Sequence, residues 1–160
     1  MAREARPRPR PPVRLAATVV AGVFVLVGVL GFVPGITTGY AELTFSGHTS
    51  GARLLGIFQV SVLHNLVHLV FGLVGLFLAR SVAGARGYLA VGGAVYLALW
   101  IYGLVVEHGN ADRTVNVLPV NGADNWLHLL LGFGMLVLGL LLSPRAGASA
   151  GRLDQPIDRP

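Results

Sequence analysis

Four side chains in this sequence have the types and spacing to converge on one chemistry. His64 and His68 lie four residues apart, as do Asp124 and His128, and that spacing places both members of a pair on one face of a helix. Three imidazoles and one carboxylate form a ligand set suited to zinc or another divalent transition metal. An open coordination position would add a metal-activated water. A second arrangement uses only His68 and His128, as axial ligands of a haem between helices, with Gly72 and Gly132 making room and a redox role following. A third needs no ligand. Asn65, His68, Asn125 and His128 would hydrogen-bond across the junction of two helix pairs and lock them together, at roughly 1 kcal/mol per contact. No H-E-x-x-H or similar hydrolase signature is present. There is no cysteine, which excludes a disulfide scaffold, a Cys-ligated metal and a thiol nucleophile.

These residues belong to an internal duplication. Val60 to Gly72 aligns with Val120 to Gly132 without a gap, at an offset of 60 residues, and both segments carry N-x-x-H-L-x-x-G. The helices before them match more weakly, through Gly31 and Gly103. Two spans per unit preserve orientation, so the units are expected to be parallel repeats about an axis along the membrane normal. Ser61 and Asn121 fall at equivalent places, and both are favoured N-caps. Asp124, three residues after Asn121, suits the positive end of a helix dipole and resembles a capping box. Asn65, His68, Gly72, Gly75 and Ala79 step by three and four, as do Asn125, His128, Gly132, Met135 and Gly139. Such a seam marks the packed face of a bundled helix. The outer segment from Gly51 to Val60 is expected to be a turn or short helix.

The elements that must hold this cluster follow from composition. In 160 residues, 54% are hydrophobic and only 12% charged, against about 25% charged in an ordinary soluble protein. Mean hydropathy is +0.69. Crossing a bilayer takes roughly 20 apolar helical residues. Four segments qualify, at about 15–35, 62–80, 87–106 and 122–142, and helices are the open-chain way to satisfy backbone groups in lipid. The first run exceeds a signal-peptide core of about 7–15 residues and lacks a small-residue cleavage site. The expected fold is therefore all-α: an integral membrane four-helix bundle of two parallel helical hairpins, with residues 15–143 as the membrane domain.

All 12 basic residues are Arg, against 7 acids, for a net charge of +5. The tails and the 80–86 loop carry all of these except Arg53 and Arg113, which sets both termini on the cytoplasmic side of a plasma membrane. The segments 34–60 and 107–121 then face outward. The tails, 1–14 and 144–160, have compositions typical of disorder. Arg6 to Pro12 reads as a topology signal resting on anionic headgroups rather than a nucleic-acid arm. Lipid is the first partner implied, and a second copy or another membrane protein is the other. Trp126, Trp100, Tyr102 and Tyr88 fall at interfacial belt positions, while Phe24, Phe71, Phe77 and Phe133 read as core. Glu107 and His108 end the third span near the outer cluster, and His48 reads as an exposed loop residue. No carboxylate or Arg lies deep in a span, which argues against an ion or proton path.

The paired motif, His64-Asn65-Leu66-Val67-His68-Leu69 followed by Leu118-Pro119-Val120-Asn121-Gly122-Ala123-Asp124-Asn125-Trp126-Leu127-His128-Leu129, resembles a family of small bacterial membrane proteins common in actinobacteria, known as domain of unknown function 4383. The resemblance covers roughly Val19 to Leu142. It implies four transmembrane helices and no established biochemical activity. The family usually has Asn-Pro where this chain has Ser61-Val62. The reading that emerges is a structural or interaction-based membrane protein without a cofactor, with a metal- or haem-binding protein as the alternative.

Overall fold

The computed structural model describes residues 11–47, 49–108 and 120–142. Its helices are α1 (Pro12–Leu30), α2 (Val62–Leu78), α3 (Val82–His108) and α4 (Gly122–Leu141). Residues 1–10 of the expected N-terminal tail, the expected C-terminal tail, most of the loop after α3 with Arg113, His48, and the side chains of Glu107 and His108 lie outside what is described, while residues 12–14, expected in the tail, form the start of α1.

Each helix end has a local cause. Pro12 opens α1 at a first-turn position, where a missing N–H costs nothing. The helix stops at Leu30, not near 35, because Pro34 and Gly35 follow. Ser61 caps α2 by accepting from the His64 amide at 3.1 Å. The carbonyls of Thr44 and Phe45 take the Val62 and Leu63 amides, which the helix itself cannot satisfy. Asn121 and Asp124 form a full capping box on α4. Ser81 accepts from the Gly84 amide at 3.0 Å, so α3 begins five residues before the expected span. The expected 80–86 loop becomes a turn at Ala79, Arg80 and Ser81, and Arg86 rides on the helix.

α1 packs antiparallel on α2, and α3 on α4. Arg14 Nε donates to the Ala79 carbonyl at 3.0 Å, while the other end of α1 meets the start of α2 through Gly31 and Asn65. All ten seam residues are buried. A methyl on Gly72 would lie 2.7 Å from the Ala21 carbonyl and the Val25 amide nitrogen of α1. One on Gly132 would lie 2.8 Å from the Leu97 amide nitrogen and 3.0 Å from the Gly93 carbonyl of α3. The seams therefore close each helix against its own antiparallel neighbour.

The pairs meet through an aromatic core. Phe24 lies 4.8 Å from Phe71 and 5.2 Å from Tyr96, between ring centroids. Phe71 lies 4.9 Å from Tyr88. Tyr88 is buried, not at an interfacial position as expected, because its ring fills the space left by Gly75. Phe77 and Phe133, expected in the core, are exposed, as is Trp126.

The described chain is not purely α. Strands β1 (Thr37–Thr38), β2 (Arg53–Leu54) and β3 (Phe58–Gln59) form an antiparallel sheet in that order. The expected turn or short helix at 51–60 is instead the β2–β3 hairpin. Its turn residues Leu55 and Gly56 have φ of 54° and 73°, and the Ile57 amide closes it on the Leu54 carbonyl at 3.1 Å. Positive φ at both central residues is the pattern of a type I′ turn, which matches strand twist. Ala52, Leu54 and Val60 are buried beneath the sheet, against Val27 and Leu30 of α1. The Thr37 hydroxyl donates to the Leu30 carbonyl at 3.1 Å, satisfying a helix-end acceptor.

Candidate functional site: a polar cavity under the sheet

The sheet roofs a cavity of about 100 Å³. Its polar lining is His64, His68, Asp124 and His128, the same four residues that the sequence spacing brings together. The rest is apolar: Val27 of α1, Leu54, Leu55, Phe58 and Val60 from the sheet hairpin, and Leu127 and Leu131 of α4. α2 presents His64 and His68 one turn apart, with rings stacked at 4.5 Å and 18°. His68 continues the stack onto Phe24 at 5.6 Å. His128 meets the Tyr96 ring edge-on at 5.4 Å.

The hydrogen bonds define what each group has left to offer. His68 Nδ1 lies 3.0 Å from the His64 carbonyl. A carbonyl only accepts, so Nδ1 carries the proton and Nε2 of the neutral ring is an acceptor. Asp124 Oδ2 accepts from the Asn121 amide at 3.0 Å and the Gln59 amide at 3.1 Å. The second of these bonds comes from β3. The Asn121 side chain adds another tie, donating from Nδ2 to the Ile57 carbonyl at 2.8 Å. Asp124 and Asn121 thus cap α4 and fasten the sheet to it. His128 is 6% exposed and its Nδ1 has no hydrogen-bond partner among the described residues.

Asn65 and Asn125 lie between the cavity residues along their helices, but each faces its own antiparallel neighbour. A methyl on Gly31 would collide with the Asn65 amide, and one on Gly103 with the Asn125 amide. The hydrogen bond of His68 likewise stays within α2. The ties from the sheet to α4 run through Asp124 and Asn121. Sequence reasoning assigns those two a capping role but misses their second partners, Gln59 and Ile57. Main-chain donors and acceptors carry no side-chain signature.

The geometry bears on the ligand readings. Among the described residues, no three His, Asp or Glu side chains form a group that could hold a metal ion. A haem between His68 and His128 needs more room than about 100 Å³, given that ordinary small-molecule pockets run to roughly 300–1,000 Å³. Gly72 and Gly132 do not enlarge this space, because they face the backbones of α1 and α3.

A bundle of apolar helices with an inward-facing polar cluster is the class this architecture defines. Residues 14–141 match the family described as a domain of unknown function, DUF4383, and the chain belongs to that family. No well-characterised protein and no solved structure matches it. Among the described residues, α1, the Val82–Val106 part of α3, and α4 are long and apolar enough to cross a membrane. α2 has 17 residues, at the lower limit of the roughly 17–25 that a crossing takes.

Proposed function

We propose that this protein is a multi-pass integral protein of the plasma membrane, with four spans and both termini in the cytoplasm, whose role is structural or interaction-based rather than enzymatic. The observation that supports this best is the inverted distribution of polarity. His64, Asn65, His68, Asp124, Asn125 and His128 are all buried. Leu15 on α1, Phe77 on α2, Val91 on α3 and Phe133 on α4 are 58%, 64%, 65% and 63% exposed. Soluble monomers rarely expose apolar patches beyond a few hundred Å², whereas lipid tails accept such a surface at no cost.

The two-hairpin repeat draws support from matched surroundings. Asn65 with Gly31 and Asn125 with Gly103 are the same contact in the two helix pairs, as are Gly72 on Ala21 and Gly132 on Gly93. Within this reading the Asn and His groups fix which helix faces pack, since a polar group in lipid without a partner is costly.

Single cysteines test the topology against a clean background, because the native chain has none. A membrane-impermeant maleimide should label Thr49→Cys in intact cells and Ser81→Cys only after permeabilisation. The reverse pattern would invert the orientation. Loss of the protein from membranes on carbonate and urea washing would overturn the spans themselves.

A further inference from the structure

The cavity under the sheet has features that a helix lock alone does not require. Cavities that serve only packing are apolar and empty, or polar and filled by water bonded to two or more groups. This one has apolar walls on most sides and a few polar side chains on one, which is the usual make-up of a small-molecule site. His68 Nε2 is left as an acceptor by the Nδ1 bond to the His64 carbonyl. His128, also in the lining, carries a buried Nδ1 with no partner among the described residues. A buried polar atom left unsatisfied calls for a ligand, an ion or a water.

We infer that this cavity binds a small neutral molecule with an apolar body the size of a single ring and a hydroxyl group directed at His68 and His128. Size sets the body. The volume is about 100 Å³, several times the roughly 10–15 Å³ that one water needs and near the roughly 150 Å³ of an apolar cavity known to hold benzene. Chemistry sets the head. Asp124 Oδ2 already accepts from two main-chain amides and sits at the positive end of the α4 dipole. A cationic head would therefore be desolvated for little return. A hydroxyl both donates and accepts, so it suits the His68 acceptor and either tautomer of His128. Leu54, Leu55, Phe58, Leu127 and Leu131 would cover the ring.

The test is fluorine NMR on the full chain in detergent micelles, with para-fluorophenol and para-fluorotoluene as probes and empty micelles as reference. The probes match in shape and differ in the hydroxyl. The phenol should show saturable exchange broadening, displaced by unlabelled phenol, and bind at least about tenfold more tightly than the toluene, or about 1.4 kcal/mol. His128→Phe keeps a ring against Tyr96 and removes both ring nitrogens, so the preference should fall to about twofold or less. Leu131→Trp should fill the space and abolish binding of both probes. If that variant does not fold, His128→Phe carries the comparison. Absence of saturable binding to the folded wild type, equal binding of the two probes, or an unchanged preference in His128→Phe would each overturn the inference. Such failure would leave the membrane topology intact, because cysteine labelling reads a different property.

Discussion

At the scale of single residues, Asp124 has the widest reach. One carboxylate oxygen holds the amide that begins α4 and an amide from a strand 65 residues away in sequence. Asp124→Ala strands both donors in a part-buried site, and a buried unsatisfied donor costs about 1–3 kcal/mol. A total loss of about 2–4 kcal/mol is expected in detergent unfolding, with faster hydrogen exchange at the Gln59 amide. Asp124→Asn keeps one acceptor and should lose less. A second contrast separates the glycines. Gly31→Ala and Gly103→Ala would drive a methyl into the Asn65 and Asn125 amides and should cost about 1–3 kcal/mol by overpacking. Gly134→Ala meets nothing within 4 Å and should instead stabilise α4 by up to about 1 kcal/mol of helix propensity. Thermal midpoints of the three variants decide it. If all three fall equally, the glycine contacts do not govern packing.

At the scale of elements, spacing and caps could be read in advance because both are local. The three-four stepping of Asn65, His68, Gly72, Gly75 and Ala79 marks a buried face, and Ser61 and Asn121 mark helix starts. Gly72→Leu and Gly132→Leu should accordingly destabilise far more than Val70→Leu or Leu130→Val, whose side chains point outward. The sheet was not legible. Strands of two residues are too short to show alternation, and their hairpin has only the second of the two usual turn residues, Gly56. A type I′ turn favours Asn-Gly, yet Leu55 stands at the first central position with φ 54°. A left-handed residue other than Gly, Asn or Asp costs roughly 1–2 kcal/mol. Leu55→Asn should recover part of that, visible as slower exchange of the Ile57 amide. The aromatics were misplaced for another reason. Ring type signals burial in water-soluble chains, but Phe77 and Phe133 face outward here while Tyr88 fills the gap over Gly75.

For the whole molecule, the helix lengths carry a consequence for the surroundings. α2 has 17 residues, a rise of about 26 Å at 1.5 Å each, against roughly 30 Å of hydrocarbon in an average bilayer. The charge-free part of α3, residues 87–106, spans about 30 Å by the same measure. Placed in lipid, the molecule would therefore present unequal hydrophobic heights around its perimeter. A long helix relieves its excess by tilting, whereas a short one pulls the acyl chains in towards itself. The bilayer should thin beside α2, and the protein should favour membranes already thin enough to spare that deformation. In nanodiscs its thermal midpoint should be higher in dimyristoyl than in dierucoyl phosphatidylcholine, and lengthening α2 by one apolar turn should reverse or erase the difference. A compartment's lipid thickness would then sort this protein, set by the reach of its shortest helix.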